Sequence, residues 1–110
     1  MDEHTSVPPG TLYMLILKTL ARLGPMHGYG IAQYIQQTTD EVLQVEEGTL
    51  YPSLQRMLIK GWVKAAWRKT EHNRRARYYT LTPAGRGQLT AEIQQFERAT
   101  TAIRRVIQPA

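Results

Sequence analysis

Basic side chains are concentrated in one part of this sequence, between residues 56 and 86. That stretch holds nine lysines and arginines and one acid, Glu71, although the net charge of the whole chain is only +5. The nine are Arg56, Lys60, Lys64, Arg68, Lys69, Arg74, Arg75, Arg77 and Arg86. Ammonium and guanidinium groups gathered in this way neutralise phosphates, so the stretch is a candidate binding surface for a polyanion.

The stretch begins within a predicted helix that has one apolar and one polar face. From near Thr49, apolar residues recur at i, i+4, i+7 and i+8, which indicates a buried stripe, and Gly61 ends the helix. Short polar groups on the other face, near the helix N-terminus, can contact base edges and phosphates in a major groove. We therefore expect Thr49, Tyr51, Ser53 and Arg56 to contact DNA; the alternative is an ordinary solvated face.

Two predicted strands follow, at about residues 62–68 and 77–81, joined through residues 71–73. Both are rich in Val, Trp, Tyr and Thr. Alternation with period two predicts an apolar sheet face made of Val63, Ala65, Trp67, Tyr79 and Leu81. The charges at and around the turn are positive apart from Glu71. This bias favours phosphate or minor-groove contacts over the alternative, a solvated tip whose charges only discourage pairing between sheet edges. The candidate DNA-binding residues of this hairpin are Lys69, Arg74, Arg75 and Arg77.

The residues before this unit predict two further helices. The first, residues 11–23, is apolar on most sides and should be buried on several of them, and Gly24-Pro25 ends it. The second covers about residues 29–38, and we expect a short strand near residues 42–45 in the connector. The run His27-Gly28-Tyr29-Gly30 favours either a capping histidine or a close approach of backbone at the two glycines.

The last predicted helix starts with Thr82 as N-cap and Pro83 in the first helical position. Its apolar residues recur at spacings of 4, 3, 4, 3 and 4 (Thr100 fills one position), which is a heptad pattern. Packing on its own domain is the alternative; a dimer, with the first helix as the partner surface, explains the length of the pattern better. The predicted dimer-interface residues are Leu89, Ile93, Phe96, Ile103 and Ile107.

The rest of the composition excludes several classes of protein. A chain of 110 residues holds one domain with a modest core, and without cysteine it has neither disulfides nor thiolate chemistry. The longest apolar run, residues 12–17, is too short to span a bilayer, and residues 1–10 lack the pattern of a secretory signal. The three histidines lie far apart, and no phosphate loop or nucleophile motif occurs. We expect no enzyme activity, metal, cofactor or membrane partner.

Three motifs give the chain a resemblance to a known family. In order, MHGYGIAQYI, EEGTLYPSLQRMLIKGWV and NRRARYYTLTPAGR resemble the PadR family of bacterial transcriptional regulators, over about residues 10–107. The glutamate pair before GTLYP looks like the branch labelled acidobacterial-type, where many relatives have Ser-Pro, and the single C-terminal helix resembles the short subgroup. The resemblance implies a homodimeric repressor that binds DNA, and some members sense phenolic acids or drugs between aromatic groups. Phe96 is the only aromatic residue of the C-terminal helix.

Together these observations predict an α+β, mainly α, winged helix-turn-helix with a C-terminal dimerisation helix. Residues 1–10 are expected to be a flexible segment, residues 11–82 the DNA-binding domain and residues 83–108 the dimerisation helix. The expected partners are double-stranded DNA, a second copy of the chain and a small-molecule effector, in the cytoplasm with the nucleoid. The alternative function is a small-molecule sensor or protein-interaction adaptor on the same scaffold, with little specific DNA binding.

Overall fold

The computed structural model describes residues 5–109 and has a mainly helical α+β fold, as the sequence predicts. Its helices are α1 (Leu12–Leu23), α2 (Gly28–Thr38), α3 (Glu47–Ile59) and α4 (Pro83–Ile107). Its strands are β1 (Thr5–Ser6), β2 (Met26–His27), β3 (Leu43–Gln44), β4 (Val63–Lys69) and β5 (Arg75–Leu81). Helices α2 and α3 form the helix-turn-helix, and the β4–β5 hairpin is the wing.

Helix α1 lies at the centre of the domain. It packs against α2, α3, α4 and β5, which confirms that it is buried on several sides. Gly24 ends it in the left-handed region, with φ of 79°, as predicted. The core around it consists of Ile16, Leu17, Leu20, Ile31, Ile35, Leu50, Leu54, Met57, Val63, Tyr79, Leu81 and Leu89.

The sheet of the wing has the strand order β2-β5-β4, and β5 is antiparallel to both neighbours. The third strand, β2, has only two residues and does not emerge from the sequence pattern. The register pairs Val63 with Leu81 near the core and Lys69 with Arg75 at the tip. One prediction was wrong here: Trp67 lies on the predicted face but is 60% exposed, because the hairpin extends beyond the core.

The N-terminal segment differs from its prediction. Thr5–Ser6 pairs in parallel with Leu43–Gln44, and the Thr5 N–H donates to the Val42 carbonyl oxygen at 2.7 Å. The sequence interpretation places no strand in this segment, whereas the structure has one at Thr5–Ser6; residues 1–4 lie outside the described residues. The same pairing confirms the short strand expected in the connector, which the segment holds in place beside α3.

Helix α4 is anchored at its start. Thr82 is the N-cap, and its hydroxyl accepts from the Gly85 N–H at 3.0 Å and donates to the Gly61 carbonyl oxygen at 2.6 Å. Leu89 is buried, and Ile93 packs against the core. From Phe96 onward the helix leaves the core, and its apolar residues become exposed.

Candidate nucleic-acid interface

Helix α3 starts two residues earlier than its pattern predicts. Its N-cap is Glu46, whose side chain makes no capping hydrogen bond, and its carbonyl oxygen accepts from the N–H groups of Thr49 and Leu50. The acidic Glu47 in the first turn is favourable at the positive end of the helix dipole. As a result Pro52 lies inside the helix, where it cannot donate to the carbonyl oxygen of Gly48.

Two predicted DNA-contacting residues of α3, the buried Ser53 and the exposed Arg56, are hydrogen-bonded to each other. Ser53 is only 2% exposed, and its hydroxyl oxygen accepts from the Arg56 guanidinium at 3.1 Å. The same guanidinium donates to the Tyr13 hydroxyl at 2.7 Å, across the junction with α1. The structure therefore corrects the expected role of Ser53, which is buried, whereas Arg56 stays exposed with its guanidinium hydrogen-bonded to Ser53 and Tyr13.

The outermost line of α3 consists of Gly48, Pro52, Gln55 and Ile59, all exposed. Thr49 and Tyr51 are also exposed, but they flank this line on opposite sides. Thr49 borders a small hollow beside the N-terminal segment, whereas Tyr51 leans towards α2. Gln55 was missed by the sequence interpretation; its place opposite the buried Leu50–Leu54 stripe is the signal that could have found it.

The start of α2 is fixed tightly against α3 and the wing. The His27 Nδ1 accepts from the Gly30 N–H at 2.9 Å, and its ring packs edge-on against Tyr78 at 5.2 Å between centroids. A Cβ on Gly28 would lie 2.7 Å from Cε1 of Tyr51. Both interpretations of the His-Gly-Tyr-Gly run are thus confirmed, since the histidine caps the helix and the glycine permits a close approach.

The wing presents the predicted basic residues to solvent. Lys69, Arg74, Arg75 and Arg77 are all exposed. The turn between the strands is closed by the Thr70 N–H, which donates to the Arg74 carbonyl oxygen at 2.7 Å, and by Asn73, whose φ is 61°. Because β5 begins at Arg75, two residues earlier than predicted, Arg75 and Arg77 project from a regular strand.

Aromatic rings support several of these guanidinium groups. Arg75 lies over the ring of Trp67 at 5.2 Å from its centroid, and Arg77 lies over Tyr79 at 6.0 Å. On the other face of the hairpin, Arg68 lies over Tyr78 at 4.2 Å. Basic groups therefore occupy both faces of the wing tip, and the exposed Trp67 is part of that basic surface.

A cavity of about 370 Å³ lies between α2 and α3. Its charged lining residues are Glu41 and Glu47, and the rings of Tyr29 and Tyr51 border it. Burial, with a smaller contribution from the nearby Glu47 carboxylate, raises the pKa of the Tyr51 phenol above its usual value of 10.0. Within residues 5–109 no group of His, Cys, Asp and Glu side chains could hold a metal ion.

The helix-turn-helix and wing match those of known regulators. The model of the PadR-like family of transcriptional regulators matches residues 16–91, which is more than half of the chain. The chain belongs to the PadR-like family. This membership confirms the resemblance seen in the sequence, and because the family consists of transcriptional regulators, it also confirms that the chain is not an enzyme.

Solved structures agree with this assignment. A transcriptional regulator from Clostridium thermocellum superposes with a TM-score of 0.82 and 27% identity, over 90% of this chain and 95% of that one. A PadR-like transcriptional regulator from Bacillus cereus gives a TM-score of 0.75 at 23% identity, over 92% and 95% of the two chains, which shows a shared fold.

Two curated relatives are longer than the matched region. An uncharacterized 37.1 kDa protein in transposon TN4556 of Streptomyces fradiae is 39% identical over 85 residues, which are 77% of this chain and 23% of that protein. A protein X of Lysinibacillus sphaericus is 29% identical over 70 residues, 64% of each chain. The PadR-like chain thus spans less than two thirds of either relative. Among its described residues, no helix is long and apolar enough to cross a membrane.

Proposed function

We propose that this PadR-like chain binds a specific DNA operator as a homodimer and represses transcription there. The observation that carries the proposal is the position of α3. Its outer face is exposed, and strand β4, which contacts α3, leads into a hairpin with four exposed basic residues at and near its tip, Lys69, Arg74, Arg75 and Arg77. A helix fits the major groove, and a basic wing beside it would contact the flanking phosphates or the minor groove.

The two elements have separate roles in this proposal. Contacts from the wing to phosphates are insensitive to sequence and weaken steeply as salt is raised, since they release counterions. Contacts from α3 to base edges supply the sequence preference. Tyr51 is the predicted α3 residue that best retains its role, because it is exposed on the side of α3 that faces the start of α2.

The C-terminal half of α4 supports the homodimer. Leu89 and Ile93 already pack within the chain, so the heptad pattern leaves Phe96, Ile103 and Ile107 for a partner. These three side chains are 43%, 57% and 72% exposed, and Val106 beside them is 83% exposed. Pairing of two α4 helices would cover this stripe and would present two α3 helices to successive turns of a two-fold symmetric operator.

Relief of repression by a small molecule is part of the proposal, and the cavity between α2 and α3 supports it. Its volume of about 370 Å³ falls within the range of small-molecule sites. Glu47 and Tyr51 belong to α3, so an occupant would stand beside the DNA-contacting helix. The test adds a panel of organic cations to the chain bound to DNA. One compound that releases the wild-type chain from DNA, but does not release the Glu47→Gln variant, would support this part of the proposal.

The experiment that tests the function compares two duplexes. One carries the DNA upstream of the chain's own gene and the other is its shuffled version, each titrated at several salt concentrations. We expect the first to bind roughly a thousandfold more tightly, with an affinity that falls steeply as salt rises. Equal affinity for both duplexes would refute specific regulation and would leave a small-molecule sensor or a protein-interaction adaptor as the function.

Repression and location in the cell need a cellular assay. A reporter gene placed behind the upstream DNA should be less active when the chain is produced, and Arg75→Ala should restore its activity. Higher reporter activity with the chain present would show activation instead. Imaging of a fluorescently labelled chain in bacteria would test the expected location, which is the cytoplasm and the nucleoid within it.

A further inference from the structure

The outermost line of α3, made of Gly48, Pro52, Gln55 and Ile59, has Gln55 as its one polar side chain. Gln55 is exposed, and its amide makes no hydrogen bond with any of the described residues. Of the neighbouring polar candidates, Ser53 is buried and Arg56 is held by Ser53 and Tyr13, while the exposed Thr49 and Tyr51 lie on the flanks of this line. On the outermost line of the helix, Gln55 is therefore the group free to form new hydrogen bonds.

The residues around Gln55 favour a close approach to a base pair. One and two turns earlier on the same line are Pro52 and Gly48, whose small side chains and lack of charge let the helix backbone approach the floor of a groove. One turn later lies Ile59, which is 76% exposed. Gln55 thus stands between apolar neighbours, and its amide is the first polar group on this line that would meet the base edges.

The chemistry of the amide selects one base. In the major groove a glutamine side chain accepts from the N6 amino group of adenine and donates to its N7, while apolar side chains contact the methyl group of the paired thymine. No other base presents this donor and acceptor at adjacent positions. Pro52 and Ile59, on either side of Gln55, are suited to the thymine methyl group.

We propose that Gln55 determines specificity by selecting an A·T pair in each half of the operator. The inference rests on the proposed DNA-binding function and adds to it the residue and the base. It also differs from the sequence interpretation, which places Ser53, and not Gln55, among the DNA-contacting residues of this helix. Arginine at this position would instead contact guanine through O6 and N7.

The test is selection of bound duplexes from a random pool, followed by sequencing, with four variants. Gln55→Ala should lose the adenine preference at one position per half-site, a loss of roughly 5- to 150-fold in discrimination, with other positions unchanged. Gln55→Arg should convert that preference to guanine. Ser53→Ala, on the same helix, and Gln94→Ala, an exposed glutamine of α4, are the controls and should keep the wild-type preference.

The possible outcomes distinguish a failure of this inference from a failure of the proposed DNA-binding function. If Gln55→Ala retains every base preference of the wild type, or if Ser53→Ala changes the preference in its place, the inference is wrong while specific regulation stands. If the wild-type chain itself selects no sequence, both are wrong. Because Gln55 is exposed and has no hydrogen-bond partner among the described residues, both of its variants should melt near the wild-type temperature. Gln55→Ala should bind shuffled duplexes as the wild type does, whereas the added charge of Gln55→Arg should strengthen that binding.

Discussion

Replacing Gly85 with alanine tests the anchoring of α4 against the wing. A Cβ on Gly85 would overlap the carbonyl oxygen of Trp62 and would lie 2.7 Å from Cδ1 of Leu81. Gly87, in the same helix, has no atom within 4 Å of the equivalent position. The same substitution, glycine to alanine, can therefore be compared at two sites: Gly85, which is packed against backbone, and Gly87, which is open.

The two substitutions are expected to change the free energy of unfolding in opposite directions. Alanine is favoured over glycine in a helix by about 1 kcal/mol, so Gly87→Ala should raise the free energy of unfolding by roughly 0.5–1 kcal/mol. At Gly85 the same gain is opposed by overpacking, which costs about 3 kcal/mol at the upper end of its usual range because backbone cannot move aside as a side chain can. We expect Gly85→Ala to be about 2 kcal/mol less stable than the wild type.

Urea unfolding followed by circular dichroism measures both variants. All samples must be at one chain concentration, because association would stabilise the folded state by mass action. The two variants should differ by about 3 kcal/mol, which corresponds to more than 10 °C in Tm at about 4 °C per kcal/mol. If Gly85→Ala were as stable as Gly87→Ala, the close contact between the start of α4 and Trp62 would be refuted.

Three further predictions concern the wing, the dimer and pH. Arg75→Ala should weaken binding to specific and shuffled duplexes alike and reduce the slope of log affinity against log salt by about 1, as measured by fluorescence anisotropy; an unchanged slope would contradict a phosphate contact. Phe96→Asp should be monomeric in sedimentation while Gln94→Ala stays dimeric, and a dimeric Phe96→Asp would refute the proposed α4 interface. The pKa of Tyr51 is raised in the folded chain, so its contribution to stability is complete below the unfolded value of 10.0 and is lost as the pH rises through the folded value. Tyr51→Phe should therefore lose less stability than the wild type between about pH 9 and pH 11 in urea unfolding, and equal losses would contradict this.

Local signals in the sequence predict the fold well. Thr82 with Pro83, Gly24 and Gly61 each act within one turn of the chain, and all three mark element boundaries in the structure. Apolar periodicity identifies the buried stripe of α3 for the same reason, since it depends only on helix geometry. The boundaries that differ most from the predictions are the starts of α3 and β5, by two residues each, while those of α1, α2 and β4 differ by one.

The site is harder to predict because its residues are oriented by distant partners. Spacing alone places Ser53 and Arg56 on a polar face, but Tyr13, which is 43 residues from Arg56 in the sequence, draws the guanidinium to α1. Alternation places Trp67 on the apolar face without indicating that the hairpin continues beyond the core that would cover it. In both cases the missing information is three-dimensional: which distant residue lies against the side chain of Arg56, and how far the core extends beneath Trp67.

The rings beneath Arg75, Arg77 and Arg68 have a consequence for charge-conserving substitutions. Arg75 and Arg68 each lie over a ring of the facing strand, and Arg77 lies over a ring of its own strand. A guanidinium held in this way has restricted rotamers, so less side-chain entropy is lost when it meets a phosphate. Lysine would keep the charge, but it has no planar group to stack and is more strongly hydrated. A wing with lysine at these positions would carry the same net charge yet would have to order its side chains during each encounter.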